Sequence, residues 1–199
     1  MTMQRYHDLA FGPNARRHQA ERGASEMYAA SAEWPELDGL GPEEVEFLAH
    51  RDSMYLASVG EQGWPYVQHR GGPAGFIHVV DPTHLAWAER AGNRQFVSAG
   101  NIDGDDRVSI IAVDYPGRQR LKLFGHARFQ PAPDPALVAS FGITGRMEAL
   151  MLVEIVAFDW NCPKYITPRF TADEVRSVVD PLNQRIFELE QLLAVRRQD

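Results

Sequence analysis

Between Ser53 and Trp160 the chain breaks into short apolar or alternating runs, each closed by a turn signal, and this punctuation constrains the fold more than any other feature. Residues 53–59 carry Met54, Leu56 and Val59 and end at Gly60-Glu61-Gln62-Gly63; residues 65–70 follow as the hairpin partner. Residues 75–80 run into Asp81-Pro82, 85–88 are short, 108–114 are strongly apolar and stop before Pro116-Gly117, 121–129 alternate in part, and 149–160 read as a final long strand. Strand side chains alternate between two faces, and glycine, proline and aspartate supply the turns. Many short strands at such spacing predict an antiparallel barrel or sandwich, mostly β with some helix (α+β). Residues 94–99 are expected to form a helical turn or short helix, and residues 135–141 another helix.

The flanks differ in character. Residues 1–41 form an N-terminal arm, polar and helical in pattern over residues 13–32 and broken at Trp34-Pro35, because a proline disfavours the α region for its predecessor. Residues 42–170 form the main domain, opening with a helix at Gly41-Pro42-Glu43-Glu44 that carries Val45, Phe47 and Leu48. Residues 171–199 form a C-terminal helix. It starts at the capping box Thr171-Ala172-Asp173-Glu174 and places Val175, Val178, Val179, Leu182, Ile186, Leu189 and Leu193 at helical spacing. Pro181 is expected to kink it or split it in two. Its apolar stripe is expected to pack on the barrel or on the dimer partner.

Charge narrows the function. Net charge is −7, yet Arg90, Arg94, Arg107, Arg118, Arg120, Lys122 and Arg128 fall within one stretch. An acidic chain with a local basic stretch suits a small anionic ligand and not a nucleic acid, although most of these cations read as solvated strand ends. No apolar run spans a bilayer, so no membrane partner is expected. Residues 1–17 do not read as a secretory signal, and the single cysteine, Cys162, excludes an intrachain disulfide; both point to a cytoplasmic protein.

Two segments carry the chemistry. Gly63 to Pro73 is a turn feeding a strand that ends in Gln68-His69-Arg70-Gly71-Gly72, and some twenty residues later comes Arg90-Ala91-Gly92-Asn93-Arg94-Gln95-Phe96-Val97-Ser98. Glycines permit close backbone approach, arginine offers a planar fork matched to phosphate, and a helix start adds amide donors. Gln68, Asn93, Gln95 and Asn101 both donate and accept, as the edge of a heterocycle requires. Polar turns with structural capping would look similar.

The order of these segments resembles the pyridoxamine 5′-phosphate oxidase-like, FMN-binding family, and is especially similar to its predicted flavin-nucleotide-binding branch. Asp114-Tyr115-Pro116 to Gly125 resembles that family's later hairpin, and the likeness covers residues 45–165. It implies an antiparallel split β-barrel that dimerises, with FMN at the subunit interface. By the same likeness Arg94 contacts the phosphate, with Asn93, Gln95 and Ser98 in the same loop. Gln68, His69, Arg70 and Gly71 run past the flavin, and Lys122 reaches the phosphate from the later hairpin. Trp160, Asn161, Lys164 and Tyr165 belong to the closing segment, and Gln68, Arg70 and Lys164 are donors beside the ring. The implied function is an FMN-dependent oxidoreductase acting on a small-molecule redox substrate. The C-terminal arginine and histidine segment of true pyridoxamine phosphate oxidases is missing, and Gln68 stands where the family has arginine, so FMN binding is expected and vitamin B6 oxidation is not. The alternative is a non-catalytic flavin- or haem-binding sensor, for which His69 would be the axial ligand; deazaflavin relatives exist in the same family. None of the seven histidines forms a helical i, i+4 metal pair, and no metal is expected.

Overall fold

The computed structural model describes residues 6–29, 38–160 and 164–196. The break expected at Trp34-Pro35, and Asn161 and Cys162, lie outside the described residues. The elements are α1 (Tyr6–Ala10), α2 (Pro13–Glu21), α3 (Ser25–Ala29), α4 (Pro42–Ala49), β1 (Ser53–Val59), β2 (Pro65–Gly71), β3 (His78–Asp81), β4 (His84–Glu89), α5 (Val97–Gly104), β5 (Arg107–Asp114), β6 (Gln119–Pro131), α6 (Pro135–Ser140), β7 (Ala149–Trp160) and α7 (Ala172–Arg196). The expected mostly β fold with flanking helices is the observed one.

Alternation along each strand builds the sheet's inner face. Met54, Leu56 and Ser58 of β1, Val108, Ile110 and Ala112 of β5, and Leu121, Leu123 and Ala127 of β6 are all buried. The seven strands are ordered β2-β1-β5-β6-β7-β4-β3. Arg70 on β2 donates through Nε to Glu89 Oε1 on β4 at 2.7 Å. That bond joins the first strand of the order, β2, to the penultimate one, β4, so the sheet curls into a barrel split beside β2. β4 is buried on both faces: Leu85 and Trp87 enter the main core, while Ala86 joins Ile143 and Leu150 in a second cluster against which the α6 residues Leu137 and Val138 pack. Gly41 Nα donates to Glu44 Oε2 at 2.9 Å, closing the start of α4.

The chain divides into two compact units, Met1–Val113 with Gln119–Cys162, and Asp114–Arg118 with Pro163–Asp199. The first holds the sheet. In the second, the Arg169 guanidinium lies 4.9 Å above the Tyr115 ring. A capping box opens α7: Thr171 Oγ1 accepts from Glu174 N at 3.2 Å, and Thr171 N donates to Glu174 Oε2 at 2.6 Å.

Several expectations need correction. The helix expected over 13–32 is two helices, separated where Gly23 takes φ 66. Strand β3 starts at His78, since Gly75 has φ 82 and its N–H bonds Arg51 O at 3.1 Å. Val45 is exposed, while Glu44 is the residue that α4 buries with Phe47 and Leu48. The helix expected over 94–99 begins at Val97 and runs to Gly104; Arg94 and Phe96 have φ 58 and 51, incompatible with a right-handed helix. Pro181 does not split α7, which is continuous through it.

One glycine is fixed by packing. β6 and β7 shift register at Phe124/Gly125, with Phe124 opposite Ala157 and Gly125 opposite Ile155. A Cβ on Gly125 would lie 2.6 Å from Glu154 O and 2.7 Å from Val153 Cγ1. Backbone at this bulge cannot yield cheaply, so Gly125→Ala is expected to destabilise the fold by about 1–3 kcal/mol. A urea midpoint equal to the parent's would show that the bulge relaxes freely.

Candidate functional site

A cavity of about 300 Å³ opens at the barrel split. β2 contributes Gln68, His69, Arg70 and Gly71; β4 contributes Trp87, Ala88 and Glu89; the following loop contributes Arg90, Gly92, Asn93, Arg94 and Phe96; and α5 contributes Ser98 and Ala99. Phe76, Phe129 and Glu148 complete the wall. Thus Gln68, His69, Arg70, Gly71, Asn93, Arg94 and Ser98, all singled out from the sequence, share one cavity.

Local forces hold each wall. Ser98 Oγ donates to Gln68 Oε1 at 3.0 Å, tying α5 to β2. Asn101 Nδ2 donates to Ser58 Oγ at 3.0 Å, tying α5 to β1. No side chain caps the start of α5. Its first turn, where Ser98 and Ala99 line the cavity, therefore presents uncapped amides of the kind that suit an anion. Arg94 and Phe96 sit in the left-handed region, which costs non-glycine residues roughly 1–3 kcal/mol each and is a frequent feature of ligand clamps.

The electrostatics are mixed. Three arginines, Arg70, Arg90 and Arg94, share the wall with two glutamates, Glu89 and Glu148. Glu89 Oε1 accepts from Arg70 Nε at 2.7 Å and from Trp87 Nε1 at 2.8 Å. Arg94 Nη2 donates to Glu148 Oε1 at 2.8 Å, and this hydrogen bond raises the guanidinium pKa further above its ordinary value. Glu148 N also donates to Glu89 O at 2.8 Å, so the two glutamates are neighbours across the β4–β7 junction.

His69 borders the cavity, but its ring packs on the more exposed face of β2, opposite the face of Gln68 and Arg70. Along β2, Tyr66, Gln68 and Arg70 are half-buried while Val67, His69 and Gly71 are more exposed. The His69 ring lies edge-on to Tyr55 at 5.6 Å, and a Cβ on Gly71 would meet His69 Cε1 at 2.9 Å. Its ring thus covers the outer surface of the strand.

Other expected site residues lie elsewhere. Lys122 Nζ pairs with Asp159 Oδ2 at 2.9 Å, directly across the β6–β7 ladder, and sits 4.5 Å over the Tyr6 ring. Trp160 Nε1 donates to Glu44 Oε1 at 2.6 Å, and its ring meets Phe47 edge-on at 4.8 Å. Neither Lys122 nor Trp160 lines the cavity: cross-strand register directs the first to the N-terminal helix and the second to α4. Gln95 turns toward Asn93, which accepts from its backbone N–H at 3.1 Å. Lys164 and Tyr165 belong to the second unit, where both are exposed. In the acidic run 103–106, the Arg107 guanidinium hydrogen-bonded to Asp105 holds that carboxyl down to about 2. Among the described residues no three His, Cys, Asp or Glu groups gather as a metal site, and no helix is long and apolar enough to cross a membrane.

Sequence reasoning missed Glu89 and Glu148 as wall residues. Strand alternation places Glu89 on the same face as Trp87, a signal that was available. Nothing local marks Glu148, which lies 54 residues from Arg94.

Comparison with known proteins fits this architecture. Residues 40–179 match the family model of pyridoxamine 5′-phosphate oxidase, well over half of the chain. HupZ from Group A Streptococcus is 14% identical with a TM-score of 0.50, over 66% of this chain and 99% of that one. A Lactobacillus delbrueckii protein provisionally named pyridoxamine 5′-phosphate oxidase is 23% identical with a TM-score of 0.49, over 61% and 93%. A conserved hypothetical protein from Mycobacterium tuberculosis is 17% identical with a TM-score of 0.46, over 67% and 92%. At such identities a structural likeness shows the fold alone. No curated protein matches the chain.

Proposed function

The chain belongs to the pyridoxamine 5′-phosphate oxidase family, and within it we propose that this protein binds FMN at the barrel split and serves as a cytoplasmic, dimeric oxidoreductase for a small-molecule substrate. The observation that carries the proposal is the convergence of three arginines, two amides, a hydroxyl and apolar rings on one cavity.

The donor set suits that ligand. Arg94 and Arg90, with the uncapped start of α5, would hold the phosphate. Gln68 presents its amide to the cavity while its oxygen is held by Ser98, leaving the amide N–H groups to donate to a ring edge. Arg70 keeps its orientation through Glu89 and leaves its remaining guanidinium N–H groups for the same edge. Phe76, Trp87 and Phe129 supply apolar wall for the ring system. A bound flavin supplies hydride or electron transfer, while these residues bind it, orient it and shield it from water. His69, with its ring on the outer face of β2, is poorly placed as an axial haem ligand.

Purified protein is expected to carry flavin absorption bands or to take up FMN on titration. A Soret band would instead indicate haem. A colourless protein whose fluorescence titration shows no FMN uptake would overturn the proposal.

A further inference from the structure

We infer that α7 pairs with the α7 of a second copy of this chain as a parallel, two-stranded coiled coil. The helix is 25 residues long and starts at a complete capping box, so its beginning is well defined. Its described side chains are all exposed from Ala172 to Ala194. Leu182 is 58% exposed and Ile186 53%. An isolated helix with a bare apolar stripe is marginal in water, and such stripes are stabilised by packing.

The pattern selects the partner. Val179, Ile186 and Leu193 recur every seven residues, and Val175, Leu182 and Leu189 recur on the same period four residues before them. Assigned as a and d positions of a heptad, these six form a continuous seam. β-Branched residues at a with leucine at d favour two parallel strands, and here Val179 and Ile186 occupy a while Leu182 and Leu189 occupy d. Phe187 falls off this seam at position b, while Val178 and Leu192 flank it at g. Pro181 takes position c, so its ring and missing N–H lie on the outer face, away from the contact.

Charge agrees with the parallel orientation. Arg185 takes position g and Glu190 the following e. In a parallel pair each g residue faces the next e residue of the other helix, so Arg185 meets the partner's Glu190 twice by symmetry. An antiparallel pair sets g against g and e against e, and does not bring these two charges together. A lipid surface is a poorer occupant. The helix carries five acidic residues against three basic ones, the reverse of what an anionic membrane attracts.

This inference deepens the dimer in the proposed function without resting on the cofactor: its failure would leave the FMN titration to stand or fall separately. The test uses the full chain with Cys162→Ser, carrying either Leu189→Cys in the seam or Gln184→Cys at position f on the outer face. A disulfide needs Cα atoms within about 7 Å, so mild oxidation should link Leu189→Cys into a dimer on the order of tenfold more than Gln184→Cys. Absence of a cross-linked species at Leu189, as expected for packing on its own barrel or on another protein, would overturn the inference. So would equal cross-linking at both positions. In the Leu189→Cys background, Arg185→Glu and Glu190→Arg should each lower the linked fraction and together restore it. A loss that the double exchange does not restore would argue equally against the parallel pair.

Discussion

Glu89→Ala is expected to cost about 3 kcal/mol of folding stability, the low end of the loss seen when one partner of a buried ion pair is removed. One carboxylate oxygen serves two donors, the partly buried Arg70 Nε at 2.7 Å and Trp87 Nε1 at 2.8 Å. The Arg70 and Glu89 side chains are 14% and 16% exposed, so water only partly screens the pair. Trp87 is 1% exposed and sits in the main core. Truncation would strand a guanidinium and an indole N–H with no acceptor, and buried unsatisfied donors are costly. It would also release the link between β2 and β4, the two strands that frame the cavity. Glu89→Gln keeps an acceptor and most of the volume, so its loss should be the smaller of the two. Urea denaturation followed by tryptophan fluorescence measures both, and a Glu89→Ala midpoint equal to the parent's would show that the pair contributes nothing to the fold.

The strands that flank this pair's β2 and β4, β1 and β7, were readable because their signals are local. β1 and β7 were expected at the bounds they occupy, since alternation and turn residues mark them within a few positions. The loop and helix near the site were less legible for an equally physical reason. Gly100, Asn101, Asp103 and Gly104 are poor helix formers, yet α5 runs through all four, held by Ser98 on Gln68 and Asn101 on Ser58. Those bonds span 30 and 43 residues, beyond any local pattern. Lys122 is a suitable phosphate ligand by type, but whether it faces Asp159 depends on the β6–β7 register. Residue type thus identified the donors around Gln68, Arg70 and Arg94, while their counter-charges are set by tertiary pairing.

Arg94 and Glu148 make that distinction testable, and their substitutions should move FMN affinity in opposite directions. The Arg94 side chain is 72% exposed, so water screens its ion pair with Glu148 and the pair contributes little. A charge-assisted phosphate contact contributes about 1.5–3 kcal/mol, so exchanging the carboxylate for a phosphate is favourable. Arg94→Ala should therefore weaken FMN binding by about 10- to 100-fold. Glu148→Gln removes the competing charge and leaves the arginine free to turn toward the ligand, which should tighten binding by about two- to fivefold. Arg118→Ala, in the turn of the second unit, should leave affinity near the parent value. Added salt screens the exposed pair, so the advantage of Glu148→Gln should shrink as ionic strength rises. Fluorescence titration reads all three variants. Parent-like affinity in Arg94→Ala would refute the phosphate contact, and weaker binding in Glu148→Gln would mean that the glutamate orients Arg94 for the ligand and does not compete with it.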